Sequence, residues 1–518
     1  MKQLIFAVTL VLATSGCYEN FSKPEPMYTL PFHGKVLHPY DLAAGPEGRA
    51  WSLMRADHPE GDSEFFCSQL EPLDEAAPNW RWGEPRTLGR GKFGKTAGTI
   101  LGDLSDPDGA YAALAYEFPE PEISLQYIRV LRTTNGGSSW DGFDPLFLED
   151  NDEPFVQVPL LAQSPIHENT LVLVAGSDRS IRVSRSDEKG AFGSWSTDPW
   201  TINTASAGNE LELLGLQYLD DGTLVMFYCV DDVADNARIY PNYYVRRSTD
   251  DGTTWSEYIQ VNSHLSGDMN LGGDLFYSGG LTLHATWGTD ANYKYTTSTD
   301  GGLTWEDNTA LAWDPGYNPQ LTGLRDSGSV VLTVHTSLGS DLGTNLHYHE
   351  LLGSAWSERR RINHAIGACT AQGGLTTTTD GTVVAAWLNE YEGTHTAYAA
   401  YSHPDRVDDC GIAFDEATLA GDSEVRRGDP FAFSYNVGNY TGAPVELDVY
   451  TDVYGKQHFI YRELQRTTVH LDAGEETTID VSLTVAPGAP HQDYVVGIYA
   501  DKNHVTTDYE QFQVSLVP

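Results

Sequence analysis

Along the first four-fifths of the chain, short apolar runs alternate with tight polar turns. Glu47-Gly48, Asp108-Gly109, Glu168-Asn169, Asp221-Gly222, Ser278-Gly279, Ser327-Gly328 and Asp380-Gly381 each lead into a β-rich run. Examples of such runs are Thr170-Leu-Val-Leu-Val, Thr223-Leu-Val-Met-Phe-Tyr and Thr382-Val-Val-Ala-Ala-Trp. Most of these turns are hairpin signals, and the β-branched and aromatic runs behind them are strand signals. No segment carries the 3.6-residue period of a long amphipathic helix. A second series, Trp82, Trp140, Trp195, Trp255, Trp305 and Trp356, runs out of phase with the turns. Such regular spacing predicts a repeat architecture. The turns outnumber the tryptophans by one, because the last unit, ending near Tyr401, lacks its outer strand. An orphan strand at Tyr28–Leu37 would complete it and leave no sheet edge exposed. The expected fold is all-β: a seven-bladed propeller over residues 28–405, with six blades as the alternative.

Two of the tryptophans close nearly identical octads, Ser248-Thr-Asp-Asp-Gly-Thr-Thr-Trp255 and Ser298-Thr-Asp-Gly-Gly-Leu-Thr-Trp305. A third, Thr133-Thr-Asn-Gly-Gly-Ser-Ser-Trp140, differs by conservative exchanges. Asp bonds the backbone ahead of it, Gly supplies positive φ, and Trp re-enters a strand with a large apolar body. The pattern resembles the Asp-box, or bacterial neuraminidase repeat, of sialidase-type β-propellers. Sialidases proper have six blades, which is the source of the six-bladed alternative. In that family the box sits in a hairpin away from the active face. The resemblance therefore assigns Asn135, Trp140, Asp250, Trp255, Asp300 and Trp305 to structure, not chemistry.

The linker Ser402-His-Pro-Asp-Arg-Val-Asp-Asp-Cys410 is polar and carries a proline. Beyond it, alternating strands are expected at Gly428–Asn439, Leu447–Val453, Thr477–Val485 and Tyr494–Asp501. This region, 411–518, resembles an immunoglobulin-like bacterial accessory domain of the cell-adhesion-related type, which implies a β-sandwich serving as spacer.

The opening residues read as an address. Met1-Lys-Gln is followed by an apolar run from Leu4 to Leu12, too short for a stable span, and then by Ala13-Thr-Ser-Gly-Cys17. Small residues before a cysteine resemble the bacterial lipobox. That implies a signal peptide at 1–17, acylation of Cys17, a polar tether at 18–27 and an exported, membrane-tethered lipoprotein of a bacterial cell envelope. An ordinary signal peptide cut nearby is the alternative. Export permits disulfides. Cys369 and Cys410 are positioned to pin the linker to the ring, whereas Cys67 and Cys229 are expected as buried thiols. No cysteine or histidine spacing suggests zinc.

Seventy-three acids against 31 bases give a net charge of −42. That balance excludes nucleic acid and anionic headgroups as generic partners. It disfavours a polyanionic substrate unless a local cluster inverts the field. No cofactor is expected. The acidic turns Asp103–Gly109 and Asp231–Asn236 are the candidates for a structural Ca²⁺, and neither has EF-hand spacing.

In a propeller, the loops between second and third strands share one face with the entrances of the first strands. That sorts Arg55, Asp57, His58, Tyr116, Glu117, Asp178, Arg179, Asp231, Asp232, Arg238, Tyr240, Asp290, Tyr293, His335, Asn389, Glu390 and Tyr391 onto one mouth. His38, Tyr40, Lys95 and Asp268 stand at first-strand entrances. Paired carboxylates there are what glycoside hydrolysis needs. The catalytic candidates are Asp57, Glu117, Asp290 and Glu390, with His58 or Tyr391 handling protons. Sialidases hold the substrate carboxylate with three arginines, the first in a Phe-Arg-Ile-Pro motif near the start. The corresponding stretch, Tyr28-Thr-Leu-Pro-Phe-His-Gly-Lys35, has none, and lysine lacks the bidentate fork. The expected function is therefore carbohydrate recognition through the loop face, without sialoside cleavage. The alternatives are a polysaccharide-active hydrolase or lyase and a protein-binding scaffold of the envelope.

Overall fold

The computed structural model describes residues 25–29, 36–57, 62–72, 80–83, 85–92, 98–119, 124–142, 146–147, 159–176, 180–191, 193–196, 200–203, 210–232, 240–262, 272–289, 292–311, 316–325, 330–337, 344–352, 355–356, 360–362, 369–371, 374–379, 381–391, 394–402, 412–414, 418–419, 424–439, 444–455, 460–485, 487, 489, 493–502 and 505–517. Every regular element among them is a strand.

The first sheet sets the pattern. Val36–Ala44 pairs with Ala50–Asp57, and that strand with Asp62–Pro72, all antiparallel. Trp80–Trp82 and Arg86–Lys92 share the outer edge. The same meander returns from Gly98–Gly102, Leu160–Gln163, Glu210–Tyr218 and Gly273–Gly279 as first strands. Further sheets open at Gly316–Thr322 and Leu375–Thr377 and run together as one ten-stranded sheet. They merge because Cys369–Ala371 bridges Thr344–Leu352 to Val383–Tyr391. First strands touch in chain order, and Leu375–Thr377 touches Val36–Ala44. The sheets therefore stand as blades around a closed ring of first strands, a β-propeller.

Packing explains the apolar runs. Each second strand lies between two neighbouring sheets, so both of its alternating faces are buried. Leu171–Gly176 is buried at every position. Trp51, Leu53 and Phe65 meet Ile100, Ala112 and Leu114 of the next sheet. Met54, Ala56 and Phe66 meet Val384, Ala386 and Tyr401 of the last one. At that closure Gly374 has no room for a side chain, since a Cβ there would lie 2.6 Å from the Leu42 backbone nitrogen.

Glu25–Thr29 pairs antiparallel with Thr394–Ser402 as the outer strand of the last sheet. The sequence placed one strand at Tyr28–Leu37. The structure instead has two, because Val36 and Leu37 begin the nine-residue first strand that ends at the Gly45-Pro46 turn. The C-terminal region forms two sheets around one core. Pro430–Asn439 pairs Glu476–Thr484, and Val445–Gly455 lies between Ile460–Leu471 and Asp493–Lys502. Phe433, Tyr435, Leu447, Val449, Val481 and Ile498 fill the space between them. Ile460–Leu471 escaped the sequence reading because charged residues interrupt its apolar positions, as suits an edge strand.

Candidate functional site

The ring has two rims of opposite construction. At one, the octad turns share space with the hairpins joining first to second strands. Ser248 Oγ accepts from the Gly252 amide (2.8 Å) and donates to Asp250 (2.8 Å). Asp250 accepts from the Thr254 amide (2.8 Å) and hydroxyl (2.7 Å). Ser298, Asp300, Gly302 and Thr304 repeat every bond. With Asn135 in place of Asp, the amide Nδ2 donates to Ser139 Oγ at 2.9 Å. Gly252 and Gly302 take φ of 82° and 86°, as the turn requires. Trp140, Trp255 and Trp305 are all half-buried beneath their turns. The Gly136 and Gly301 amides donate to Asp108 O and Leu281 O in the first hairpins of their own sheets.

Side chains tie this rim between sheets. Asp103, fully buried, accepts from Tyr111 OH (2.8 Å), Gln163 Nε2 (3.1 Å) and the Ser105 amide and hydroxyl. Lys189 and Arg132 approach it at 3.4 Å. Burial alone would raise this carboxyl, but the bonds from Ser105, Gln163 and Tyr111 outweigh it and hold it at about 2. The buried carboxylate of the acidic turn Asp103–Gly109 thus accepts from protein donors on three elements. Asp231 and Asp232 lie in a strand with their side chains outside the described residues, as is all of 233–239. Among the described residues no group of three or more His, Cys, Asp or Glu is placed to hold a metal.

At the other rim lie the far ends of the second strands, including Asp57, Gly288 and Tyr391. Asp57 is the one catalytic candidate whose side chain is described. Arg55, two residues back on the same face, grips it bidentately at 2.8 and 2.6 Å, and Ser63 Oγ donates at 2.6 Å. Three donor contacts therefore anchor this carboxylate. Glu117, Glu390 and Tyr391 fall in strands opposite Gln126, His395 and Thr394, with side chains outside the described residues. His58 and Asp290 lie outside them altogether, as do Cys17 and Cys410. Tyr293 is corrected: it starts a third strand but is fully buried between sheets, next to Leu332 and Val334, and cannot line a mouth. Cys67 and Cys229 are both buried thiols.

The sequence reading missed two carboxylates on the first strands. Asp41 accepts from Thr99 Oγ1 (2.7 Å) and the Ile100 amide (3.0 Å) of the neighbouring first strand. Asp274 accepts from the Leu275 amide (2.7 Å) and from the Leu321 amide (2.8 Å) of its neighbour. Burial pushes Asp41 up to about 6 despite those bonds. Burial, opposed by the two amides and reinforced by the charge of Asp41, pushes Asp274 up to about 7. The two stand on the first strands of different sheets, and burial is the main cause of each shift. The available signal was an Asp-Leu step a few residues before a hairpin glycine, in both Asp41-Leu42 and Asp274-Leu275.

No family model matches the chain. A sialidase of Clostridium perfringens is 23% identical over 224 residues, which cover 36% of this chain and 57% of that enzyme. The chain thus spans little more than half the length of the curated relative it matches. Among solved structures, an α-L-arabinanase of Penicillium chrysogenum complexed with arabinobiose aligns with a TM-score of 0.41 and 13% identity. It covers 60% of this chain and 94% of its own. An α-L-arabinofuranosidase of Fusarium graminearum bound to an iminosugar inhibitor gives 0.43 and 12%, over 75% and 98% of the two chains. Superposition at that level carries no argument about chemistry.

Proposed function

We propose that this is an exported, lipid-tethered protein that recognises carbohydrate through its loop rim and does not cleave sialosides. The observation that carries the reading is the division of labour between rims. The hairpin rim is closed by its own hydrogen bonds and ion pairs, while the loop rim gathers strand ends and the fixed Arg55–Asp57 fork. A guanidinium–carboxylate fork on a rigid strand suits sugar hydroxyls. The 23% identity to a sialidase supports a carbohydrate ligand, and the arginine-free stretch Tyr28–Lys35 argues against sialic acid.

The finer architecture belongs to the same reading: seven blades, Asp-box turns, closure by Glu25–Thr29, and an immunoglobulin-like C-terminal sandwich. The closed succession of first strands and the buried clusters between sheets support it. Cys17 is the proposed lipid attachment and Cys369–Cys410 the proposed bridge, with no nucleic-acid partner and no catalytic cofactor. A hydrolase is the second reading, for which Asp41 and Asp274 join the rim carboxylates Asp57, Glu117, Asp290 and Glu390 as candidate acid and base. A glycan array paired with a reducing-end release assay tests both. Binding without release supports recognition, release lost in Asp274→Asn supports hydrolysis, and sialic acid release overturns the central claim. Cys17→Ser should free the protein from membranes.

A further inference from the structure

Tyr258 stands at the outer edge of the sheet that begins at Glu210–Tyr218, just before the two-residue strand Ile259–Gln260. It is 59% exposed, the most exposed large hydrophobic side chain among the described residues. Its ring is nevertheless held in place. The half-buried Tyr244 meets it edge-on with centroids 5.1 Å apart, and Tyr228 lies 5.8 Å behind Tyr244. The Arg246 guanidinium lies 5.9 Å from the Tyr258 ring centre. It is fixed by NH1 donating to Ser256 O at 2.7 Å and Nε donating to Tyr228 OH at 3.3 Å.

Both of those acceptors are neutral. Among the described residues no carboxylate pairs with Arg246, although acids exceed bases by 73 to 31 over the chain. Glu257 is exposed nearby and forms no ion pair with it. A cation left uncompensated in so acidic a protein, beside a rigid exposed ring, is a local inversion of the field. Aromatic rings present a flat apolar face to sugar C–H groups, and a guanidinium matches a carboxylate bidentately.

We propose that Tyr258 and Arg246 form an accessory binding site for acidic saccharides, with a uronate ring against Tyr258 and its carboxylate on Arg246. The site lies on the outer edge of a sheet and is independent of the loop rim. It would hold a polymer alongside the ring while another part of the chain reaches the mouth.

Affinity electrophoresis of the full-length protein tests it, with polygalacturonate or its methyl ester in the gel. Running at about 0.15 M salt limits general repulsion to a Debye length of about 8 Å. The wild type should be retarded more by the acid than by the ester. Tyr258→Ala should weaken retention by the acid about tenfold, and Tyr258→Phe should preserve it. Arg246→Gln should remove the preference for acid over ester. Equal migration of wild type and Tyr258→Ala in polygalacturonate overturns the proposal. So does retention lost in Asp57→Asn but kept in Tyr258→Ala, which would leave the loop-rim reading standing and this one refuted. Unchanged melting temperatures in the variants exclude unfolding as the cause.

Discussion

At the hairpin rim, Ser248, Asp250, Gly252 and Thr254 close one turn with four hydrogen bonds of 2.7 to 2.8 Å. At the loop rim of the same ring, Arg55, Asp57 and Ser63 form a polar cluster. The first is a purely local device, complete within eight residues and therefore repeatable anywhere a third strand ends. The second is as short-range, three residues of one hairpin of the first sheet, but among the described residues no other sheet repeats it. The repeated rim holds the ring together, and the varied rim is free to differ for a ligand. If this contrast is sound, substitutions at the hairpin rim should cost stability, and those at the loop rim should cost binding.

Asp103→Ala should have the largest effect. It removes a fully buried charge and leaves the Tyr111 hydroxyl, Gln163 and two half-buried cations without their acceptor. Breaking such a buried set costs roughly 3–5 kcal/mol, readable by denaturant unfolding. The sign of its pH dependence is fixed. The folded value of about 2 lies below the ordinary 3.8, so the stabilisation is complete above 4 and fades as pH falls toward 2. A loss below about 1 kcal/mol would mean that this rim is not held as argued.

Next comes a titration that sets the ring's interior against one of the cores between sheets. Asp41 and Asp274 have folded values raised from 3.8 to about 6 and about 7, so their ionisation costs stability as pH rises from 4 through 7. His284 acts oppositely. Its ring is buried against Phe276 and Tyr295, with Nδ1 2.7 Å from Tyr295 OH and Nε2 2.8 Å from Ser278 Oγ. Burial lowers it from 6.5 to about 4, so its stabilisation is present above 6.5 and lost as pH falls toward 4. Between pH 4 and 6 the two carboxyls outweigh the one imidazole, so the melting temperature should fall as pH rises through that window. His284→Gln should steepen the fall and Asp274→Asn should flatten it. Parallel curves for wild type and both variants would remove these groups from the account.

How much of this could be read from the chain follows the same locality. The octads were legible because the Ser and Asp side-chain bonds that shape each turn lie within it, down to Asn135 standing where the others have Asp. The second strands were legible because burial on both sides makes them apolar throughout, as in Leu171–Gly176. Asp41 and Asp274 were not, because their partners Ile100 and Leu321 lie 59 and 47 residues away. Tyr293 misled for the related reason that a position near a strand's start does not reveal which way its side chain turns. Arg55 and Asp57 lie between these cases. Their spacing of two gives a shared face, but nothing in the sequence says that the pair would be spent on each other.

Ser298→Ala should cost less than Asp103→Ala, about 1–2 kcal/mol, because the buried Gly302 amide loses its acceptor and Asp300 one of its donors. The smallest stability change should come from Asp57→Asn, which decides the comparison. The carboxylate is 30% exposed and Arg55 19%, so the fork is partly screened by water, and weakening it should cost under about 1 kcal/mol. Its effect on ligand should be the reverse. An amide offers one acceptor where the carboxylate offers two, so Arg55 loses its second contact and the fork its fixed orientation. Glycan affinity at the loop rim should fall about tenfold, while Ser298→Ala leaves it unchanged. Isothermal titration with the best array ligand, set beside denaturant unfolding of both variants, checks the two halves together. If Ser298→Ala weakens the sugar as much as Asp57→Asn does, the rims are not separate in function, and the loop rim loses its claim to the site.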